Sequence, residues 1–211
     1  MKINEIFFSI QGESTWAGNP TIFIRTSGCP LRCQYCDTEY AFYEGKKMSL
    51  EEIVSKVQSF LGDYVCITGG EPLVQPASIE LTKQLLDLGY MVSVETSGTM
   101  PVDRLDTRAK KVIDVKTPDS KEEGKFLFSN LDFVSPTDEF KFVICSDEDF
   151  LWSKSFVKSY GLAEKNVVLF SPSHSQVSPQ WLAEKILTSG LRVRLQLQQH
   201  KYIWGPEARG V

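Results

Sequence analysis

Long apolar runs are missing from this chain. No stretch approaches the ~18 residues of a membrane span, and the opening MKINEIFFSIQGES carries one Lys and only the short apolar-rich IFFSI, too little for a signal-peptide core. A cytoplasmic location without membrane contact is therefore the expectation. A basic excess is missing too. Acidic residues outnumber basic ones 27 to 23, a net charge of −4, so the sequence carries no nucleic-acid footprint. Histidine is scarce, with only His174 and His200. We find no internal repeat, low-complexity tract or linker. The five cysteines are odd in number, and in a reducing compartment a chain of 211 residues has no need of a disulfide framework. What remains is 42% apolar and 24% charged, the composition of an ordered globular protein. The length suits one domain over residues 1–211, with a sizeable core.

Strand-like runs rich in Val, Ile, Phe and Thr recur: TIFIRT (21–26), YVCIT (64–68), MVSVET (91–96), KVIDV (111–115), FKFVI (140–144), NVVLF (166–170) and RVRLQLQ (192–198). Helical patterns lie between several of them. Leu50, Ile53, Val54, Val57, Phe60 and Leu61 repeat near 3.6, with Ser49 and Glu52 as a capping box and Gly62 as the stop. A second helix runs from about Ser78 to Gly89 and a third over roughly 147–161. The last opens on Ser178-Pro179 and stops at Gly190. Such alternation predicts parallel strands with right-handed crossovers. A full eight-stranded barrel usually takes ~250 residues, and 97–138 shows no convincing helix. The expected fold is α/β, a truncated or open (β/α) barrel of about six mainly parallel strands, with a flat doubly wound sheet as the alternative. SPTDEF (135–140) and the residues after Trp204 read as loops.

Cys29, Cys33 and Cys36 fall within eight residues, in a loop (27–38) fed directly by TIFIRT. Cys66 and Cys145 sit in strand-like runs, where a free cysteine reads as a small buried hydrophobe. A structural zinc site needs a fourth ligand, and no other cysteine or histidine is close in sequence. Three scattered structural thiols would not crowd a single loop. A 4Fe–4S cluster held by three thiolates leaves one iron open to a small molecule.

The spacing C-x3-C-x2-C, with Tyr35 before the third cysteine, is the signature of the radical S-adenosylmethionine (SAM) superfamily, and the chain resembles its members. The resemblance implies that the amino and carboxylate groups of SAM chelate the open iron. An electron then breaks a carbon–sulfur bond, and the resulting 5′-deoxyadenosyl radical abstracts a substrate hydrogen. Gly69-Gly70-Glu71-Pro72 after YVCIT resembles the superfamily's SAM amino-group motif, where residues lacking Cβ let backbone approach a ligand. Glu95-Thr96-Ser97-Gly98 and Asp114-Val115-Lys116 end the next two strands with polar residues, at the rim where a barrel places its active site. For each, an ordinary strand-to-loop exit is the plain alternative.

Within the superfamily, Gln11-Gly12-Glu13, Cys36-Asp37-Thr38, TGGEP, VETSG and Gln198-Gln199-His200-Lys201 together resemble the 7-carboxy-7-deazaguanine synthases, from residue 5 to about 204. These lyases convert 6-carboxy-5,6,7,8-tetrahydropterin to 7-carboxy-7-deazaguanine on the route to queuosine and other 7-deazapurines. The resemblance implies the cluster on Cys29, Cys33 and Cys36, and SAM beside Tyr35, Cys36, Asp37, Gly70, Glu95, Asp114, Val115, Lys116, Ser171, Pro172, Ser173 and His174. It implies substrate beside Ile10, Gln11, Gly12, Glu13, Arg25, Thr68 and His200, and Mg2+ on the Thr38 hydroxyl. It further implies a flavodoxin or ferredoxin as electron donor and a homodimer. Arg25 has a case of its own: an Arg on an apolar strand is costly to bury unless an anion pairs with its planar fork, although a strand-end Arg can also reach solvent. His200 and Lys201 read equally as pocket residues or as tail contacts, and the tail over 203–211 reads either as open or as folded across the pocket. Ser14 stands where the family commonly has glycine. The rivals are a glycyl-radical activating enzyme of the same superfamily and a non-catalytic zinc-binding module.

Overall fold

A computed structural model describes all 211 residues. One nine-stranded sheet runs through it in the order β3-β1-β2-β4-β5-β6-β7-β8-β9. Its strands are β1 (Lys2–Ile10), β2 (Pro20–Thr26), β3 (Lys46–Lys47), β4 (Tyr64–Gly69), β5 (Met91–Thr96), β6 (Lys110–Asp114), β7 (Glu139–Ile144), β8 (Val167–Pro172) and β9 (Arg194–Leu195). Six strands, β2 and β4 to β8, are parallel neighbours, as expected. β3 and β9 remain as edges, so the barrel is open.

The helices are α1 (Leu50–Gln58), α2 (Ala77–Asp87), α3 (Asp147–Ser159), α4 (Leu162–Lys165), α5 (Pro179–Ser189) and α6 (Gln199–Ile203). Local chemistry sets their starts. Ser49 Oγ accepts from Glu52 N while Ser49 N donates to the Glu52 carboxylate. Ser178 caps α5 through Trp181 N, with Pro179 at the first helical position. α1 stops at Gln58, short of Gly62. Apart from β6, residues 97–138 hold only short 3-10 turns.

Side chains alternate across a strand, so the register divides the sheet into two faces. Ile22, Val65 and Val92 share one face, and Ile113, Phe140 and Val168 continue it. That face is buried under α1 and α2 (Ile53, Val57, Leu81, Leu85) in one half and under α3 and α5 (Phe150, Phe156, Leu182) in the other. Helices on one face only define a barrel wall and exclude the doubly wound alternative. Each fully buried apolar side chain here contributes ~1.5–3 kcal/mol. The opposite face carries Arg25, Thr68, Glu95, Asp114 and Lys141, and its side chains supply polar chemistry in place of core packing.

Three sequence readings need correction. β1 was not among the expected strands. It lies antiparallel to β2 and only Ile3 is buried, so KINEIFFSI shows no clean alternation. RVRLQLQ forms only the two-residue β9, because pairing is confined to Leu169–Arg194 and Phe170–Leu195. In SPTDEF, Glu139 and Phe140 already belong to β7.

Candidate active site

The cluster loop leaves β2 and crosses the rim of the barrel. Gly28 N donates to Ala41 O (2.8 Å) and Gln34 N to Ser120 O (3.1 Å), while the Glu122 carboxylate accepts from Arg32 N. Cys29, Cys33 and Cys36 are free and half-buried. Burial pushes all three thiols up, Cys33 to about 11, and the ammonium of Lys116 acts in the opposite sense on each. Coordination to a cationic metal group is what deprotonates such thiols. No three His, Cys, Asp or Glu side chains converge on a point that one metal ion would fill, so the loop is not arranged as a mononuclear zinc site. Three thiols on one short loop, with the Lys116 ammonium near each of them, suit a larger polynuclear group.

Gly70 touches this loop directly. A Cβ there would lie 2.3 Å from Gly28 O and 2.8 Å from Cys29 Cβ, so no larger residue fits. Glu71 N donates to Gly28 O (2.9 Å), joining the turn after β4 to the turn after β2. The Glu71 side chain is fully buried. Its Oε1 accepts from Leu73 N (3.1 Å) and Thr96 Oγ1 (2.8 Å), and its Oε2 from Ser97 N (2.7 Å) and Ser97 Oγ (2.6 Å). The GGEP and ETSG motifs are thus two ends of one hydrogen-bonded unit.

Charged groups line the inner face. Arg25 Nε donates to Glu5 Oε1 (2.7 Å), which also accepts from Tyr40 Oη (2.9 Å). Thr68 Oγ1 donates to Glu95 Oε2 (3.1 Å), and burial raises the Glu95 carboxyl. Lys141 Nζ lies 2.6 Å from Glu13 Oε2 and 3.3 Å from Asp114 Oδ2. Lys116 Nζ approaches the same Asp114 oxygen (3.1 Å) and stands 5.7 Å from the Tyr35 ring centroid. Burial opposes ionisation of Glu13, but Lys141 and His200 outweigh it and hold the carboxyl down at about 2. Two buried polar atoms here, Asp114 Oδ1 and the Tyr35 hydroxyl, have no partner, which a ligand would supply. Ser14, with φ 65°, occupies the left-handed conformation that a glycine adopts more easily.

The chain's end closes over this face. Gln199 N donates to Gly12 O (3.0 Å), and a Cβ on Gly12 would meet the His200 ring at 2.3 Å. Gln198 Nε2 donates to Glu13 Oε1 (2.9 Å), Lys201 pairs with Asp37 (2.8 Å), and the Arg209 guanidinium lies 3.9 Å from the Tyr40 ring centroid. His200 and Lys201 are therefore both tail contacts and pocket neighbours.

The structure brings together Gln11, Gly12, Glu13, Arg25, Thr68, Glu95, Asp114 and His200, and places Tyr35, Asp37, Gly70 and Lys116 around the cysteines. Glu95 lies with the expected substrate residues rather than beside the cysteines. Val115 is buried on the helix side. Ser171 and Ser173 are buried, whereas His174 is exposed. Pro172, His174, Gln198 and Tyr202 line a cavity of about 360 Å3. A wider cleft of about 800 Å3 between β1, β3 and α1 contains none of the expected site residues. Ile10 ends β1 and Thr38 donates to Asp37 Oδ1 (2.8 Å). Cys66 is buried as read, but Cys145 is not. It lies just past β7, half-buried, with Sγ 3.9 Å from Gln34 Nε2 beside the cluster loop. Lys141 escaped the sequence reading altogether.

An open parallel barrel with three cysteines on the loop after its first parallel strand defines a radical SAM protein, and the profile described as the Radical SAM superfamily matches residues 23–120. Similarity extends further along the chain. The 7-carboxy-7-deazaguanine synthase of Chlorobaculum tepidum is 44% identical, covering 100% of this chain and 97% of its own, and that of Koribacter versatilis is 44% identical with 100% of both covered. The crystal structure of QueE from Escherichia coli superposes with a TM-score of 0.76 at 25% identity, over 92% of this chain and 93% of that one. The chain belongs to the 7-carboxy-7-deazaguanine synthase family.

Proposed function

We propose that the chain is a SAM-dependent lyase that converts 6-carboxy-5,6,7,8-tetrahydropterin to 7-carboxy-7-deazaguanine with loss of ammonia. Cys29, Cys33 and Cys36 would hold a 4Fe–4S cluster, with Tyr35, Gly70, Asp114 and Lys116 beside SAM. Together these cofactors would supply the power to abstract a hydrogen atom from the substrate. The protein binds, orients and excludes water. α6 and the tail lie over the QGE turn, which encloses a small ring system better than the protein backbone a glycyl-radical activating enzyme must admit. A small flavodoxin- or ferredoxin-class carrier would deliver the electron, and a homodimer in the cytoplasm is the working form we assign.

Arg25 is the observation that carries this reading. Its Nε is committed to Glu5 while its two terminal nitrogens donate to no protein acceptor, so the fork is oriented and half of it is free for a carboxylate. Anaerobic incubation with SAM, reductant and the carboxy-pterin, followed by mass spectrometry, should yield the deazaguanine acid. Arg25→Lys can reach Glu5 or the substrate but cannot fork to both. Its apparent affinity for the carboxy-pterin should fall at least about tenfold, ~1.4 kcal/mol, with SAM binding nearly unchanged. Unaltered substrate affinity would make Arg25 merely the partner of Glu5.

For Mg2+ we assign the Thr38 hydroxyl, which lies beside the Asp37 carboxylate. Two neighbouring oxygens suit a hard cation that keeps waters and substrate oxygens for its remaining ligands. Thr38→Ala should lower the ratio of rates with and without Mg2+, measured on cluster-normalised enzyme, and Thr38→Ser should retain most of it. An equal ratio in Thr38→Ala would leave Thr38 as a loop hydrogen bond only.

A further inference from the structure

β7 contributes one charged side chain that meets both halves of the pocket. Lys141 is buried. It stands in register with Asp114 on β6, and its ammonium also reaches Glu13 on the turn after β1, 128 positions away in sequence. Glu13 in turn receives Gln198 and neighbours His200 on the closing tail. Asp114 faces Lys116 and, through it, the cysteines; Glu95 completes the set of carboxylates around Lys141. A buried ammonium is costly unless nearby anions are held against it. Here two anions from separate pieces of chain are held by the same ammonium. The Asp114 oxygen facing away from this contact, Oδ1, is buried and has no partner, so it is an acceptor in want of a ligand's donor.

We infer that Lys141 is a positioning residue that couples the SAM side of the pocket to the substrate side, by fixing Asp114 and Glu13 against one another. It acts through those two carboxylates. With both held, the QGE turn and the β6 rim are tied to one another across the pocket, and misplacement by ~1 Å is costly to a positioned reaction. Without the ammonium, two carboxylates are left close together in a buried site and separate. The QGE turn then shifts relative to the β6 rim, and SAM can be cleaved without productive transfer to substrate. This inference rests on the proposed function.

The test uses cluster-reconstituted holoenzyme. In the wild type, product and 5′-deoxyadenosine are counted with the carboxy-pterin present, and the affinities for SAM and for the carboxy-pterin are measured separately. Lys141→Met should bind the carboxy-pterin several-fold more weakly and reduce product per 5′-deoxyadenosine at least about fivefold, with cluster content retained. Should the single variant fail to fold, Lys141→Met with Glu13→Gln removes one of the stranded charges and keeps the question open to measurement. In a folded set, that double variant should be no worse coupled than Glu13→Gln alone, because both act on one contact. Additive losses would overturn the inference, as would unchanged coupling in Lys141→Met. A fall in cluster content that lowers both product and 5′-deoxyadenosine in proportion would also overturn it, since that is what a purely structural lysine predicts. A wild type that cleaves SAM but yields no product from the carboxy-pterin refutes the proposed substrate instead.

Discussion

Alanine at Cys29, Cys33 or Cys36 should each abolish reductive SAM cleavage and remove the absorption near 400 nm of the anaerobically purified protein. Three thiolates have no spare. With one gone, a second iron loses its protein ligand and the cluster is no longer held at three corners. The effect should be all or none, because the loop offers no substitute: its other side chains are Ser27, Pro30, Leu31, Arg32, Gln34, Tyr35, Asp37 and Thr38, none of them a soft ligand. Cys66→Ala should leave iron content intact and cost ~1–2 kcal/mol through lost packing in a fully buried position. Cys145→Ala is the sharper control. Its thiol is half-buried beside Gln34, and burial pushes it up to about 12, so it is an inert thiol next to the loop. If Cys145→Ala lost iron while Cys33→Ala kept it, the ligand assignment would be wrong.

The parts of this site that could be read from sequence are those whose chemistry is local. The cysteine spacing and the Ser178-Pro179 helix start each complete themselves within a few residues, so their meaning survives without the fold. GGEP was legible by its residue types, although Glu71 finds its donors at Thr96 and Ser97. β1 could not be read that way. KINEIFFSI is a strand because β2 and β3 flank it, and its burial is too even to alternate. Lys141 was hidden for the opposite reason. FKFVI has an apolar character set by Phe140, Phe142 and Ile144 on the helix side, and every residue of β7 is buried. A lysine in such a run signals a charge that must be matched, but its partners come from Glu13 and Asp114, which no spacing rule connects to it. The same alternation, Glu139-x-Lys141-x-Val143 on the inner side, was the available signal. Arg25 was legible for that reason, being the single charge in TIFIRT. Its actual neighbour Glu5 was not, since Glu5 lay in a segment not expected to pair with it.

Glu71→Ala should unfold the enzyme at a temperature lower by roughly 6–20 °C, since ~3–5 kcal/mol is lost and each kcal/mol moves the midpoint ~2–4 °C in a chain of this size. Four donors converge on this one buried carboxylate. Hydrogen bonds to a charged group contribute ~1.5–3 kcal/mol apiece at most, and they are not additive. The dominant cost is that Leu73 N, Ser97 N and two hydroxyls are left without an acceptor in a site closed to water. Glu71→Gln keeps the shape but turns one end of the side chain into a donor. Whichever way the amide lies, its NH2 faces one backbone N–H left without an acceptor and one hydroxyl that must turn to accept, so this variant should still lose roughly half as much. Ser97→Ala removes one hydroxyl donor and leaves the carboxylate otherwise satisfied, with an expected loss of ~1 kcal/mol. The order Ala, Gln, then Ser97→Ala in calorimetric midpoint is the signature of a carboxylate that clamps two turns. SAM affinity should follow the same order, because Gly70 keeps its place against Gly28 and Cys29 only while Glu71 is fixed. A Glu71→Ala midpoint within about 3 °C of wild type would mean that water reaches the four donors and that the turn after β4 is held by its backbone contacts to Thr26 and Gly28.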